Sequence, residues 1–156
     1  KKFNAQIAND NSDGQIVLSG KNEDLESMSN FLKNNRIKNI KLPVSAPFHC
    51  ELMSKATEIM RKELENVDFK KSNNTLISNV TANEILDVKD LKNLLISQIE
   101  KKVRWRESII NMVNYGVSQF IEIGPGKVLS GLIKRINKNV KITSINNLSD
   151  IESLKI

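Results

Sequence analysis

Gln119-Phe120-Ile121-Glu122-Ile123-Gly124-Pro125-Gly126-Lys127 is the stretch that decides the fold class of this chain. Its first five residues are rich in β-forming side chains and predict a strand. The Gly-Pro-Gly tripeptide predicts a tight turn, and apolar residues at helical spacing after Lys127 predict a helix. A strand that runs through a short turn into a helix is typical of α/β proteins.

The segments on either side continue this alternation from residue 75 onward. The sequence predicts two further strands, at residues 75–80 and at about 140–145. Apolar periodicity predicts helices over about 88–101 and from Trp105 to a stop at Gly116. Strands that alternate with helices of this length favour a mixed or parallel sheet, so we expect an α/β fold.

The first part of the chain has a different pattern. It predicts, in order, a strand at 3–8, a turn at 9–14, a strand at 15–19, a helix at 22–35 and a strand at 37–44. A second amphipathic helix is expected after Pro47. Residues 1–42 therefore resemble a small α+β unit that precedes the α/β region.

Composition restricts the function classes. The chain has 156 residues, of which 39% are hydrophobic and 27% charged, as in ordinary water-soluble proteins. No apolar run approaches the ~20 residues that cross a bilayer, so we expect no membrane span. The single cysteine, Cys50, cannot form an internal disulfide, and one cysteine with one histidine cannot by themselves supply a three- or four-ligand zinc site. We expect neither a metal nor a bound cofactor.

The net charge of +6 favours a polyanionic partner, such as nucleic acid, a phosphorylated cofactor or an acidic protein. Aromatic residues make up only 4% of the chain, which disfavours recognition of single strands by base stacking. The Gly-Pro-Gly turn could present helix N–H groups to a phosphate. However, Val128 stands where a Walker A loop needs Ser or Thr, and Leu129 stands where a dinucleotide fingerprint needs glycine.

His49 is the only histidine of the chain and the natural candidate for a general base. It follows a predicted strand on a connection that contains two prolines, and it lies at a predicted helix start. A base needs a nucleophile, but the adjacent Cys50 diverges from His49 by about 100° on a helix. No Gly-x-Ser-x-Gly elbow occurs in the sequence. The residues alone therefore give His49 no nucleophilic partner.

Five motifs, in the same order along the chain, resemble the malonyl-CoA:acyl carrier protein transacylases of bacterial type II fatty-acid synthesis. They are Ala8–Ser12 with Gln15, Leu42–Cys50, Asn79-Val80, Gln98 with Trp105, and Glu122–Leu129. The resemblance covers nearly the whole chain and corresponds to the C-terminal half of those enzymes. Asp13 and Lys102 depart from the pattern, because the family often has proline at both positions.

The resemblance implies an α/β-hydrolase-like fold with an inserted ferredoxin-like subdomain. Residues 1–42 would form part of the small ferredoxin-like subdomain, and residues 43–156 the C-terminal part of the large one. It also implies a cytoplasmic acyltransferase that moves malonyl from coenzyme A to the phosphopantetheine thiol of acyl carrier protein through a seryl intermediate.

The resemblance further implies two site residues on this chain. His49 would be the general base and acid, and the main-chain carbonyl of Gln98 would orient it, as a carboxylate does in a Ser-His-Asp triad. The serine, the malonyl-binding arginine and the oxyanion hole would belong to a missing N-terminal half, so this chain alone is expected to be inactive. The partners would be malonyl-CoA, acyl carrier protein and that half, with no nucleic acid and no membrane. Lys127, Lys134 and Arg135 are candidates for contact with the carrier protein.

The sequence leaves one alternative open. The chain could be a free-standing basic α/β module that binds phosphate at the Gly-Pro-Gly turn or nucleic acid on a lysine-rich face.

Overall fold

The computed structural model describes residues 3–154, which form a mixed α/β structure as the sequence predicts. The strands are β1 (Ala5–Ser12), β2 (Gln15–Gly20), β3 (Gln119–Ile123) and β4 (Lys141–Ile145). The helices are α1 (Asn22–Asn34), α2 (Ser54–Glu65), α3 (Val88–Ser97), α4 (Trp105–Asn114), α5 (Val128–Ile136) and α6 (Leu148–Glu152). None of the helices in this described part is long and apolar enough to cross a membrane.

Strands β1 and β2 form an antiparallel hairpin whose turn is shorter than the sequence predicts. The predicted turn spans 9–14, but the strand continues to Ser12 and only Asp13 and Gly14 remain in the turn. Backbone pairing outweighs the turn propensity of these polar residues because β1 is also bonded on its far side. There, the amide of Val103 donates to the carbonyl of Ala8 at 2.8 Å, and the amide of Asp10 donates to the carbonyl of Val103 at 2.9 Å.

The hairpin is fastened to α4 by a charged contact. The guanidinium of Arg106 donates to both carboxylate oxygens of Asp10, at 3.0 and 2.9 Å, and to Asp13 at 3.0 Å. The hydrogen bond with Arg106 lowers the pKa of Asp10 against the opposing effect of burial, and the same contact raises the pKa of Arg106. The side chain of Asp13, one of the two departures from the family pattern, thus takes part in this attachment.

Strands β3 and β4 pair in parallel, and α5 connects them, which confirms the strand, turn and helix expected around residues 119–127. Leu132 and Ile133 of α5 are buried, as is Ile145 at the end of β4. The two sheets of the described residues each contain only two strands. The core is accordingly small, and its buried apolar side chains come from helices, strands and the segments between them.

Two predicted strands are wrong. Residues 37–44 have no regular secondary structure, and Ile40 and Val44 within them are 75% and 61% exposed. Residues 75–80 contain a single antiparallel bridge between Ile77 and Glu84. A strand needs a neighbour to pair with, and no strand of the described residues lies beside either segment. Helix α3 also ends at Ser97, earlier than predicted, and residues 98–100 form a turn.

Candidate active site

His49 lies on the connection between Pro47 and the short 3-10 helix Glu51–Met53, at the helix start that the sequence predicts. Its backbone has a φ of 60°, a left-handed conformation that costs a non-glycine residue about 1–2 kcal/mol. Two hydrogen bonds hold this conformation: the amide of His49 donates to the carbonyl of Ile99 at 3.2 Å, and the thiol of Cys50 donates to the carbonyl of Pro47 at 3.1 Å. The connection is therefore fixed at the position of the histidine.

The imidazole ring of His49 contacts the main chain of Gln98. Its Nδ1 atom lies 2.8 Å from the carbonyl oxygen of Gln98. A carbonyl oxygen can only accept a hydrogen bond, so Nδ1 carries the proton of this contact. In the neutral ring, Nε2 then has a free lone pair, as a general base requires. Among residues 3–154, Nε2 of His49 has no hydrogen-bond partner.

The carbonyl that holds the ring is available because of where α3 ends. Gln98 is the residue at the C-terminal cap of α3, and the last carbonyls of a helix have no partner within the helix. The ring of His49 takes the carbonyl of Gln98, and its amide donates to the carbonyl of Ile99, the next residue along the chain.

The side chain of Gln98 is held as well. Its Oε1 atom accepts a hydrogen bond from Nδ2 of Asn79 at 3.3 Å. The carbonyl of Asn79 in turn accepts from the amide of Arg104 at 2.9 Å. Asn79 is part of the sequence motifs described above, but nothing in its local pattern indicates this contact.

Cys50, next to His49 in sequence, is buried, with only 1% of its surface exposed. Its thiol is directed at the carbonyl of Pro47. The structure thus places the single thiol of the chain in the interior, where it is poorly placed to meet a substrate. In residues 3–154, no group of three His, Cys, Asp or Glu side chains could hold a metal ion.

The Gly-Pro-Gly turn is occupied by the protein's own groups. The carboxylate of Glu122 accepts hydrogen bonds from the amides of Leu129 at 3.0 Å and Ser130 at 2.7 Å, at the start of α5. The amide of Gly126 donates to the side chain of Asn146 at 2.6 Å. Hydrogen bonds from the side chain and amide of Ser130 and from the amide of Leu129 lower the pKa of Glu122, although burial opposes them.

These contacts weigh against the phosphate site that the sequence leaves open. A phosphate at the start of α5 would need the same amides and would meet the negative charge of Glu122. Gly124 and Gly126 have φ of 137° and 93°, values that side chains rarely adopt, so both glycines serve the turn itself.

The three basic residues predicted to face a carrier protein have different surroundings. Lys127 and Lys134 are exposed. Arg135 is also exposed, but its guanidinium donates a hydrogen bond to the side chain of Gln15 in the hairpin. Lys127, just before α5, and Lys134, in its last turn, are therefore available to a partner, and Arg135 is partly engaged.

No protein-family model matches this sequence. Over 148 residues it is 44% identical to the malonyl CoA-acyl carrier protein transacylase of Bacillus subtilis (strain 168). The aligned region covers 94% of this chain and 47% of the relative. It is 37% identical over 146 residues to the protein of the same name from Staphylococcus aureus (strain COL), covering 93% of this chain and 47% of the relative.

Solved structures agree with the sequence relatives. The malonyl CoA-acyl carrier protein transacylase of Clostridium perfringens matches with a TM-score of 0.91 and 42% identity, over 97% of this chain and 48% of that one. A malonyl-transacylase solved in complex with a type II PKS acyl-carrier protein matches with a TM-score of 0.90 and 31% identity, over 96% and 48% of the two chains. The resemblance seen in the sequence is thus confirmed, and the chain spans about half the length of the relatives it matches.

Proposed function

We propose that this chain is the C-terminal, histidine-bearing part of a cytoplasmic malonyl-CoA:acyl carrier protein transacylase of fatty-acid biosynthesis. The observation that carries the proposal is the contact of 2.8 Å between Nδ1 of His49 and the carbonyl of Gln98. It joins the two residues that the family resemblance singles out, which are 49 positions apart in sequence. Residues 1–42 would belong to a small ferredoxin-like subdomain and residues 43–156 to a large α/β-hydrolase-like one.

In the proposed mechanism, a serine outside residues 1–156 attacks the thioester carbonyl of malonyl-CoA. Nε2 of His49 accepts the serine proton as the new C–O bond forms, and the carbonyl of Gln98 stabilises the resulting imidazolium through Nδ1–H. When the C–S bond breaks, His49 returns this proton to the coenzyme A sulfur. The malonyl group remains on the serine as an ester.

The second half-reaction runs in the opposite direction with a different thiol. His49 takes the proton of the phosphopantetheine thiol of acyl carrier protein, and the sulfur attacks the malonyl ester. The C–O bond then breaks and His49 returns the proton to the serine. Malonyl is thereby moved between two sulfur atoms, and the enzyme is regenerated with no cofactor consumed.

The basic surface fits the two partners of this reaction. Coenzyme A is polyphosphorylated and acyl carrier proteins are acidic, so a chain with a net charge of +6 attracts both. The structural relative solved with an acyl-carrier protein supports such a partner. We propose that Lys127 and Lys134 contribute to that docking, with Arg135 in a lesser role because it already contacts Gln15.

The proposal is tested by replacing the base. In the full-length enzyme, we expect His49→Ala to lower the rate of malonyl transfer by at least ~100-fold, the low end of what a positioned acid-base group contributes. Glu51→Ala is a matched control, because this exposed residue lies two positions away on the same connection, and within residues 3–154 only its backbone is hydrogen-bonded, to Gln6 and Ser54. A His49→Ala enzyme that is folded and within a few-fold of wild type would rule out this role.

A further inference from the structure

Asn79 belongs to a motif that the proposed mechanism does not use. Its side-chain amide donates to Oε1 of Gln98 at 3.3 Å, and both residues are half-buried. Gln98 is the residue whose carbonyl holds the ring of His49. A chain of two contacts therefore leads from Asn79 to the imidazole.

Asn79 is on a part of the chain that is itself well fixed. The carbonyl of Asn79 accepts from the amide of Arg104, and the guanidinium of Arg104 donates to the carbonyl of Thr81 at 3.1 Å. Just before it, Ser78 is buried, and its backbone bonds to Asn83 at 2.9 Å and Ala82 at 2.8 Å. The amide of Asn79 is thus presented to Gln98 from a rigid turn.

Gln98, in contrast, is at a place where helices loosen. It follows the last residue of α3, and helix ends fray because their final carbonyls lack intrahelical partners. The direction of the Gln98 carbonyl depends on the backbone angles of this terminal turn. A hydrogen bond that fixes the Gln98 side chain restricts those angles.

We propose that Asn79 is a positioning residue for the transfer reaction, an inference that rests on the proposed function. By holding the side chain of Gln98, it keeps the end of α3 in the conformation that directs the Gln98 carbonyl at Nδ1 of His49. Asn79 does not touch the reacting atoms, so its removal should loosen the ring rather than abolish catalysis.

The test is a double-mutant cycle in the full-length enzyme. We expect Asn79→Ala to lower kcat by about 3- to 10-fold with the KM for malonyl-CoA unchanged, and Gln98→Ala to have a similar effect. If Asn79 acts through Gln98, the double variant is no slower than the slower single variant. Asn83→Ala is the matched control, because this asparagine lies in the same turn and its side chain bonds to Thr81, Asn111 and Tyr115 instead.

Two further measurements separate positioning from folding. The Nδ1–H resonance of His49, observed by ¹⁵N NMR, is expected to exchange faster with water in Asn79→Ala but not in Asn83→Ala. Asn79→Asp keeps the size of the side chain. Its carboxylate can accept a hydrogen bond from the side-chain NH2 of Gln98 once that amide group has rotated by about 180°. We therefore expect Asn79→Asp to lose less activity than Asn79→Ala.

Either of two results would overturn the inference: an Asn79→Ala enzyme with wild-type kcat and an unchanged Nδ1–H resonance, or single effects that multiply in the double variant. The proposed function is tested separately by His49→Ala. If His49→Ala is inactive and Asn79→Ala is not impaired, only the role of Asn79 is wrong.

Discussion

The orientation of His49 depends on a main-chain atom and not on an acidic side chain. The carbonyl of Gln98 has no charge that could be titrated, so this support persists at any pH at which α3 stays folded. The contact therefore depends on the backbone geometry at the end of α3 and not on which side chain stands at position 98. A substitution that spares the backbone should therefore differ sharply from one that moves it.

Two substitutions at Gln98 test this difference. Gln98→Ala keeps the carbonyl, so we expect only the modest loss of kcat given above, far smaller than that of His49→Ala. Gln98→Pro removes the amide that donates to the carbonyl of Leu94 at 2.9 Å and distorts the end of α3, so we expect a severe loss. Steady-state transfer rates of the two variants, with circular dichroism to verify folding, decide the matter. Equal rates for Gln98→Ala and His49→Ala would mean that the side chain has a further role.

The sequence identifies some residues of the candidate site but not others. His49 stands out because it is the only histidine and lies on a proline-rich connection before a helix. Gln98 could be found only through the family resemblance, because a contact made by a backbone carbonyl imposes no residue type. The contact of Asn79 with Gln98 depends on how two separate turns meet in space, which no local pattern encodes.

At the scale of elements, the unit formed by β3, the Gly-Pro-Gly turn and α5 is the best-specified part of the chain. The carboxylate of Glu122 receives two amides at the start of α5, and the hydroxyls of Ser130 and Ser144 are 2.8 Å apart between α5 and β4. Glu122 thus acts as a cap for a helix that begins without a capping bond from Lys127. Its negative charge also suits the positive end of the helix.

Removing that charge should destabilise the protein in a pH-dependent way. We expect Glu122→Gln to lower the free energy of unfolding by about 0.5–1 kcal/mol at pH 7, the low end for a capping group because the side chain is partly exposed. The folded-state pKa of Glu122 is below its ordinary value of 4.5, so its contribution is full above that pH and is lost as the pH falls through the folded-state value. Urea unfolding of both proteins across this range measures the effect. A difference in stability that grows towards acid pH would contradict the assignment.

Sequence patterns predict best the elements whose own residues show a helical apolar spacing or a glycine-marked turn. Helices α1, α2 and α4 show apolar residues at helical spacing, and β3 with α5 is marked by its glycines. Segments 37–44 and 75–80 have the apolar content of strands, but a strand forms only beside a partner, and residues 3–154 offer none there. Helix α6 was not predicted; it is short and is held by a capping box between Asn147 and Asp150.

At the scale of the whole molecule, large apolar side chains add exposed surface in residues 37–60, on both sides of His49 in sequence, and on β3. These side chains are at least 40% exposed: Ile37, Ile40, Leu42, Val44, Phe48, Leu52, Ile59, Met60, Ile121 and Ile123. Where such side chains lie together in a large exposed patch, the patch usually marks a site of contact with another polypeptide. Since the chain spans about half the length of its relatives, we propose that the remainder of the transacylase covers this surface and brings the serine to His49.

The most direct test of the account is to find which residue receives the malonyl group. The full-length enzyme is incubated with malonyl-CoA without carrier protein, quenched in acid, digested and mapped by mass spectrometry, and residues 1–156 alone are treated in the same way. We predict a malonyl ester on a serine outside residues 1–156 in the full-length enzyme, greatly reduced in His49→Ala, and no adduct on the chain alone. A malonyl group on any side chain within residues 1–156 that is then passed to acyl carrier protein would contradict a site in which this chain supplies the base and another part of the enzyme supplies the nucleophile.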